Sequence, residues 1–347
     1  MVNELVFYYP EGHEVHFEQG HPERPERIEA IRTALLEAGW WDAFPKLEPQ
    51  EPSGDLIRKV HDKDYLENLY KSCMSGLRLD ADTYTTTGSY QLALNSAGGA
   101  LSVANSVWIG ESRTGLALTR PPGHHATRRQ GMGFCLLNNI AIAANYLLNL
   151  EAGFGSKANK LAIVDIDLHH GNGTQDIFWE RDDVFFFSTH QSPLYPGTGQ
   201  LKETGGGKGQ GYTANFPLPP GTGDTGFRAV FEELVIPLLD KYMPEMLLLS
   251  IGFDPHWRDP LGHLVLSAEG FGRIIKWMVD WAGTNCQGRI ALFLEGGYDL
   301  EAAAACLQAA VAALLGEEWN DYLGPPPRSE GNSWIPVVRE ARNMWRV

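Results

Sequence analysis

KLAIVDIDLHHGNGTQDIFW runs from Lys160 to Trp179. Its opening residues, Lys160–Asp165, form a short, almost continuously apolar run, the character required of a strand covered on both faces. The run then turns polar at once. Asp165, Asp167 and His169 fall at alternate positions, so in an extended segment their side chains share a face. Aspartate and histidine are good ligands for zinc or another divalent transition metal. On spacing alone, the same residues fit an acidic turn with solvated histidines equally well.

The pattern recurs along the chain. Strands are predicted at Leu5–Tyr9, Gly115–Thr119, Lys160–Asp165, Val184–Ser188, Met246–Ile251 and Arg289–Leu294, and several run directly into polar clusters. Gly115–Thr119 leads into RPPGHH, Met246–Ile251 into GFDPHWRDP, and Arg289–Leu294 into EGGY. Helical patterning covers Pro25–Ala38, Asp64–Ser72, Gly88–Trp108, Asn139–Leu150, Gly226–Tyr242, Ala268–Ala282 and Leu300–Leu315. Strands alternating with helices predict an α/β fold with a mostly parallel sheet covered on both faces. Such sheets bind ligands at the carboxyl ends of their strands. Four segments therefore aim polar residues at one sheet edge, where a site is expected.

The 347 residues carry 28 Lys+Arg against 43 Asp+Glu, a formal net charge of −15. That balance argues against nucleic acid as a partner held by phosphate contacts. Hydrophobic residues make up 43% and charged residues 20%, which suits a folded chain with a large core rather than a disordered one. The four cysteines are widely spaced with no C-x-x-C pair, so neither a disulfide framework nor a Cys-rich zinc site is expected. The start MVNELVFYYP lacks the pattern of a signal peptide, and no apolar run reaches membrane-spanning length. The expectation is a soluble cytoplasmic protein with no membrane partner. The short segments Gly205–Gly211 and Pro325–Pro327 are linker-like but separate nothing, so residues 1–347 read as a single domain.

Asp254 follows the apolar run LLLSIGF, where an ionised carboxylate needs a partner. Asp167, His169 and Asp254 together make a three-ligand set with an open position, as in a catalytic metal site. Asp254 also fits an N-cap or a loop salt bridge. His124 and His125 are neighbours and point different ways, so both are not ordinary core residues. Histidine titrates near neutrality, which suits proton transfer. Asp165, not needed as a ligand, is placed to orient one of them. In Glu295-Gly296-Gly297-Tyr298, paired glycines permit close backbone approach, and the Tyr298 hydroxyl can donate to a developing oxyanion. Alone, that segment also fits a turn with a surface tyrosine.

The runs RPPGHHATRRQGMGFCLLNN, VDIDLHHGNGTQDIFW, SIGFDPHWRDPLGH and LEGGYD resemble the zinc-dependent histone deacetylase superfamily, which includes the acetylpolyamine amidohydrolases. The likeness extends from HPERPERIEAI (His21–Ile31) to about Leu315, and its wording is nearer the class II branch and its bacterial relatives than class I. It implies a three-layer α/β/α arginase–deacetylase fold and one Zn²⁺ held by Asp167, His169 and Asp254. It implies hydrolysis of an acetylated amine to acetate and free amine. His125 would be the general base and then acid, His124 the electrostatic histidine paired with Asp165, and Tyr298 the carbonyl-polarising donor. Asn172 stands where class I carries the carboxylate partner of His125. Since an amide stabilises an imidazolium less than a carboxylate does, a lower pKa is expected for His125.

The resemblance also assigns a substrate channel. Phe134 and Tyr195 match facing aromatic walls, with Gly133 and Leu261 beside them, and Asp82 matches a rim carboxylate. Any of these aromatics fits simple packing as well. Structural K⁺ or Na⁺ ions are implied at Asp165, Asp167, His169, Ser188 and Thr189 (inner) and at Phe178, Arg181, Val184 and Tyr212 (outer). His256 and His263 are expected to be solvent-exposed loop residues. His13, His16 and His21 belong to a first loop expected to shape the channel rim.

Acetyl-lysine in peptides or proteins and acetylated polyamines compete as substrates. Polyamine-selective relatives carry a carboxylate just after the Asp-Pro of the GFD segment, and here that position is Leu261, the deacetylase pattern. A binuclear ureohydrolase of arginase type would need further bridging acids, and Pro255-His256 follows Asp254 instead. A non-catalytic acyl-lysine scaffold on the same fold conflicts with an intact ligand set plus Tyr298. A homo-oligomer remains open.

Overall fold

The computed structural model describes residues 2–150 and 156–347. Its strands are β1 (Asn3–Tyr8), β2 (Ser112–Ala117), β3 (Leu161–Asp165), β4 (Val184–Gln191), β5 (Thr213–Leu218), β6 (Leu247–Ile251) and β7 (Ile290–Leu294). The helices are α1 (Glu26–Glu37), α2 (Trp40–Ala43), α3 (Gly54–Val60), α4 (Lys63–Ser75), α5 (Ser89–Trp108), α6 (Asn139–Leu148) and α7 (Asn172–Phe178), then α8 (Asp224–Val230), α9 (Ile236–Tyr242), α10 (Ala268–Asn285), α11 (Leu300–Leu315) and α12 (Ile335–Trp345).

The strands form one sheet in the order β1-β2-β7-β6-β3-β4-β5, every pair parallel. Strand alternation sorts side chains to two cores. Leu5, Phe7, Val164, Leu249 and Leu292 face the layer containing α1 and α8 to α12. Tyr8, Ile163, Leu248 and Phe293 face the layer of α3 to α7. The sheet is thus sandwiched between two helical layers. Helix α5 lies so close to β1 that a Cβ on Gly99 would overlap the Tyr8 ring.

From β3 the chain moves outward through β4 to β5, while from β6 it moves the other way to β7. β3 and β6 are hydrogen-bonded neighbours, so the connections leaving them diverge. A crevice opens at such a switch point, at the carboxyl ends of the strands. Asp165 to His169 and Asp254 lie there.

Three features depart from expectation. β5 was not expected, because Gly205–Gly211 precedes it and Pro217 lies within it. It is an edge strand, where a missing amide is tolerated. The helix expected over Gly226–Tyr242 is α8 and α9 joined through a π turn at Phe231–Val235. Pro237 has no amide to continue the α-helical ladder there. Short α2, α3 and α7, and α12, were also unexpected. No helix among the described residues is long and apolar enough to cross a membrane.

Candidate active site and metal ligands

One donor atom each from Asp167, His169 and Asp254 lies within 4.8 Å of the others. Asp167 and His169 come from the loop after β3, Asp254 from the loop after β6. Local hydrogen bonds set their directions. Asp165 Oδ1 accepts from the Asp167 amide (3.1 Å), Asp167 Oδ1 from the His169 amide (2.8 Å), and Asp254 Oδ1 from the Leu168 amide (3.1 Å). Asp254 Oδ2 is buried, accepts no well-aligned hydrogen bond and stands 3.2 Å from His169 Nδ1.

Burial and the neighbouring Asp167 charge push the Asp254 carboxyl up to about 7. Burial also works against an ionised Asp167, but His124 and His169 outweigh it and hold Asp167 well below the usual range. Two carboxylates packed together away from water call for a cation between them. With an imidazole as third donor and Asp254 Oδ2 unpartnered, the set fits a divalent transition metal.

Two glycines make room for these carboxylates: Gly296, whose pairing with Gly297 signalled close backbone approach, and Gly252, which did not stand out in the sequence. A Cβ on Gly252 would overlap the Asp167 carboxylate, and one on Gly296 would overlap that of Asp254. The Gly296 amide donates to Asp167 Oδ2 at 2.9 Å.

His124 and His125 sit beside this set, both buried. His124 Nδ1 donates to Asp165 Oδ2 at 3.0 Å. Burial opposes its charged form, but Asp165, Asp167 and Glu295 together push it up to about 10. His125 Nδ1 lies 2.7 Å from Asn172 Oδ1. That oxygen only accepts, so Nδ1 carries the proton and Nε2 is left with a free lone pair. Burial and the cations at His124 and His169 push His125 well below its ordinary value. The expected low pKa therefore has causes beyond the Asn172 amide.

Tyr298 is buried; burial holds its hydroxyl well above the ordinary value, so it is a neutral donor. Asp259 Oδ2 accepts from the Tyr298 amide at 2.6 Å, and the Arg27 guanidinium stacks 4.9 Å over the ring centroid. Asp82, His125, Gly133, Phe134, His169, Leu194, Tyr195, Leu261 and Tyr298 line one cavity of about 200 Å³. All five residues expected in the channel therefore meet there, joined by Leu194. Phe134 stands edge-on to Tyr298 at 5.8 Å, and Tyr195 edge-on to His125 at 5.2 Å. Phe134 has φ 70°, an uncommon conformation for a side-chain-bearing residue, and turns its ring into the cavity wall.

Of the positions expected for monovalent ions, Asp165, Asp167, His169, Ser188 and Thr189 gather at the carboxyl ends of β3 and β4. Asp165 pairs with Ser188 there, and Thr189 Oγ1 donates to the Asp165 carbonyl at 3.3 Å. Phe178, Arg181, Val184 and Tyr212 cluster instead at the amino ends of β4 and β5.

Several expectations need correction. His256 is 2% exposed, not solvated, and its Nδ1 accepts from the Arg258 amide at 3.2 Å. His263 is exposed as expected. His13 and His16 are interior rather than rim residues: His16 stacks on Tyr84 at 4.2 Å, and His13 bonds Tyr9 and Glu29. His21 does support the channel, donating to the Asp82 carbonyl at 2.9 Å and packing edge-on against Phe134 at 4.7 Å. The sequence reading also passed over Arg27, Glu23 and Arg120, a buried ion cluster. In it, Arg27 donates to the carbonyls of Glu295 and Gly297, both at 2.6 Å. Charged residues within HPERPERI and RPPGHH were the available signal.

A family model described as histone deacetylase domain matches residues 21–314. A probable deacetylase of Archaeoglobus fulgidus is 43% identical over 285 residues, covering 82% of this chain and 78% of the relative. Histone deacetylase 14, chloroplastic, of Arabidopsis thaliana is 39% identical over 322 residues, 87% of this chain and 75% of the relative. The crystal structure of the HDA15 HD domain superposes with a TM-score of 0.89 at 33% identity, covering 99% of this chain and 94% of that one. The sheet and its two helical layers are accordingly the three-layer α/β/α arginase–deacetylase architecture. The matched span contains every residue of the crevice at the β3/β6 switch point, and the chain belongs to the histone deacetylase family of hydrolases.

Proposed function

We propose that this protein is a zinc-dependent amidohydrolase that removes acetyl groups from the side-chain amine of acyl-lysine in peptides or proteins, releasing acetate. The observation that carries this reading is the convergence of Asp167, His169, Asp254, His125 and Tyr298 around one narrow cavity. When bound, zinc supplies Lewis acidity toward the acyl carbonyl and acidifies water near neutral pH. His125 Nε2, unprotonated, takes a proton from the attacking water and returns it to the amine nitrogen as the C–N bond breaks. His124, held protonated by Asp165, keeps positive charge beside the reacting atoms. Tyr298 donates its hydroxyl proton in a hydrogen bond to the acyl oxygen as negative charge develops. Phe134, Tyr195 and Leu261 wall an acylated alkyl stem from water, and Asp82 at the mouth accepts from the substrate backbone.

A K⁺ or Na⁺ at the inner cluster belongs to the same reading, since the buried Asp165 carboxylate and Ser188 hydroxyl supply oxygen donors there. Leu261 at the channel wall gives no carboxylate for a second ammonium, which favours acyl-lysine over acetylpolyamine.

The test compares a fluorogenic acetyl-lysine peptide with N-acetylputrescine, using full-length protein stripped by a chelator and reconstituted with Zn²⁺. Peptide turnover that disappears on stripping and returns with Zn²⁺ is expected. Cleavage of N-acetylputrescine with the peptide untouched reassigns the substrate to polyamines. Zinc bound at one per chain with neither compound hydrolysed makes the protein a binding scaffold.

A further inference from the structure

Glu295, the first residue beyond β7, is fully buried, and its charge adds to those of Asp165 and Asp167 in raising His124. Its Oε2 accepts from the amides of Gly123 (2.7 Å) and His124 (3.1 Å), and its Oε1 from the Ser250 hydroxyl on β6 (3.0 Å). On the far side of the same residue, the His124 carbonyl accepts from the amides of Gly173 (2.9 Å) and Thr174 (3.1 Å) at the start of α7. The backbone of His124 is therefore gripped from both sides, by a carboxylate anchored on β7 and by the first turn of α7. That turn begins with Asn172, the partner of His125 Nδ1.

Burying a carboxylate is unfavourable, and an apolar side chain would fill the same space. Burial pushes the Glu295 carboxyl up to about 7, yet one of its oxygens satisfies two amides that converge on one point of the loop. Where the group is ionised these bonds are charge-assisted and fix position more firmly than neutral ones. We propose that Glu295 is a positioning residue: it fixes the Gly123–His124 backbone and thereby the placement of both imidazoles against the substrate. The proposal rests on the reading of His125 as the proton-transfer group and of His124 as the charged stabiliser beside it.

The test measures kcat and KM separately for zinc-loaded full-length Glu295→Met, Glu295→Gln, His124→Ala and His125→Ala. Glu295→Met keeps the length but removes the acceptor. It should lower kcat roughly 30- to 100-fold with KM within about threefold, as for a displaced catalytic group. Glu295→Gln retains an acceptor oxygen and should keep kcat within about threefold of the parent. Measured well above pH 7, where the Glu295 carboxyl is ionised, the amide proton resonances of Gly123 and His124 should move upfield in Glu295→Gln as the charged acceptor becomes neutral. Unchanged kcat in Glu295→Met overturns the proposal, as does equal loss of kcat in the Gln and Met variants. If Glu295→Met does not fold, amide resonances that fail to move in Glu295→Gln overturn it. Where His124→Ala and His125→Ala abolish turnover and Glu295→Met does not, the positioning role alone fails. Where both alanine variants keep full kcat, the proton-transfer reading fails with it.

Discussion

Two adjacent histidines are pushed to different protonation states, His124 charged and His125 neutral, and their hydrogen-bond partners come from different elements. His124 meets the Asp165 carboxylate at the end of β3, whereas His125 meets the Asn172 amide at the start of α7. Titratable neighbours pushed apart in this way divide the work of a charged stabiliser and a free base. In the proposed reaction Tyr298 supplies a third function, the neutral donor. Replacing it in Tyr298→Phe should lower kcat about 10²- to 10³-fold, with KM and zinc content unchanged. Steady-state kinetics with metal analysis checks this, and a matching rise in KM would instead make Tyr298 a binding group. Gly296→Ala makes a different demand, because its new Cβ enters the space of the Asp254 carboxylate. Elemental analysis after gel filtration should find well under one zinc per chain in that variant, with circular dichroism like the parent. The carboxylates and histidines of the site were legible because their types and alternate spacing pointed to metal and proton chemistry. Gly252 and the role of Glu295 were not, since close approach between distant segments leaves no local pattern, whereas the Gly296-Gly297 pair did signal it. His256 was misread for the same reason: its burial is decided by the loops that fold over it.

The segments carrying the site are tied to the helical layers by buried charge. Glu23, just before α1, receives Arg120 Nε (2.7 Å) and Nη2 (3.1 Å) from the loop after β2, and Arg27 Nη1 (3.1 Å) from α1. All three side chains are essentially inaccessible to water. Removing one partner of such a cluster leaves uncompensated buried charge. Glu23→Gln should therefore cost on the order of 3–5 kcal/mol of stability, read as a lowered urea midpoint with unchanged slope. A loss below about 1 kcal/mol, typical of exposed pairs, would show that the cluster is solvated in solution. Strands with continuous apolar runs were legible, and their observed bounds differ from the expected ones by a few residues. β5 was hidden because glycine and proline read as linker, while its pairing with β4 is settled only by the sheet. The division of α8 from α9 was hidden because one proline weighs little against a long amphipathic pattern.

Acid should destabilise the fold through buried groups outside the candidate ligand set. Burial pushes His61 down to about 4 and His16 down to about 3, so both are neutral when folded and take up protons on unfolding. For each, the unfolded chain binds more protons between its folded pKa and the ordinary value near 6.5, and stability is lost as pH falls through that window. Glu23 acts in the same direction: burial alone would raise it, but Arg120 and Arg27 prevail and hold it at about 2. Its contribution is present above about 4.5 and is lost as pH falls toward 2. The contribution of His61 alone is on the order of 3 kcal/mol. Urea midpoints should fall steadily from pH 7 to pH 4.5. A flat profile would mean that these histidines are already hydrated in the folded state.

The strand order also dictates when the molecule can exist. Until β6 and β7 are made, the sheet consists of β1-β2 and β3-β4-β5, two pieces with no hydrogen bond between them. β6 and β7, later in the chain than the five strands they join, are the bridge, and they bring Asp254 and Tyr298 with them. A nascent chain therefore displays Asp167 and His169 for 85 residues of synthesis before their third ligand appears at position 254. A chain truncated before β6 can assemble neither the sheet nor the candidate ligand set.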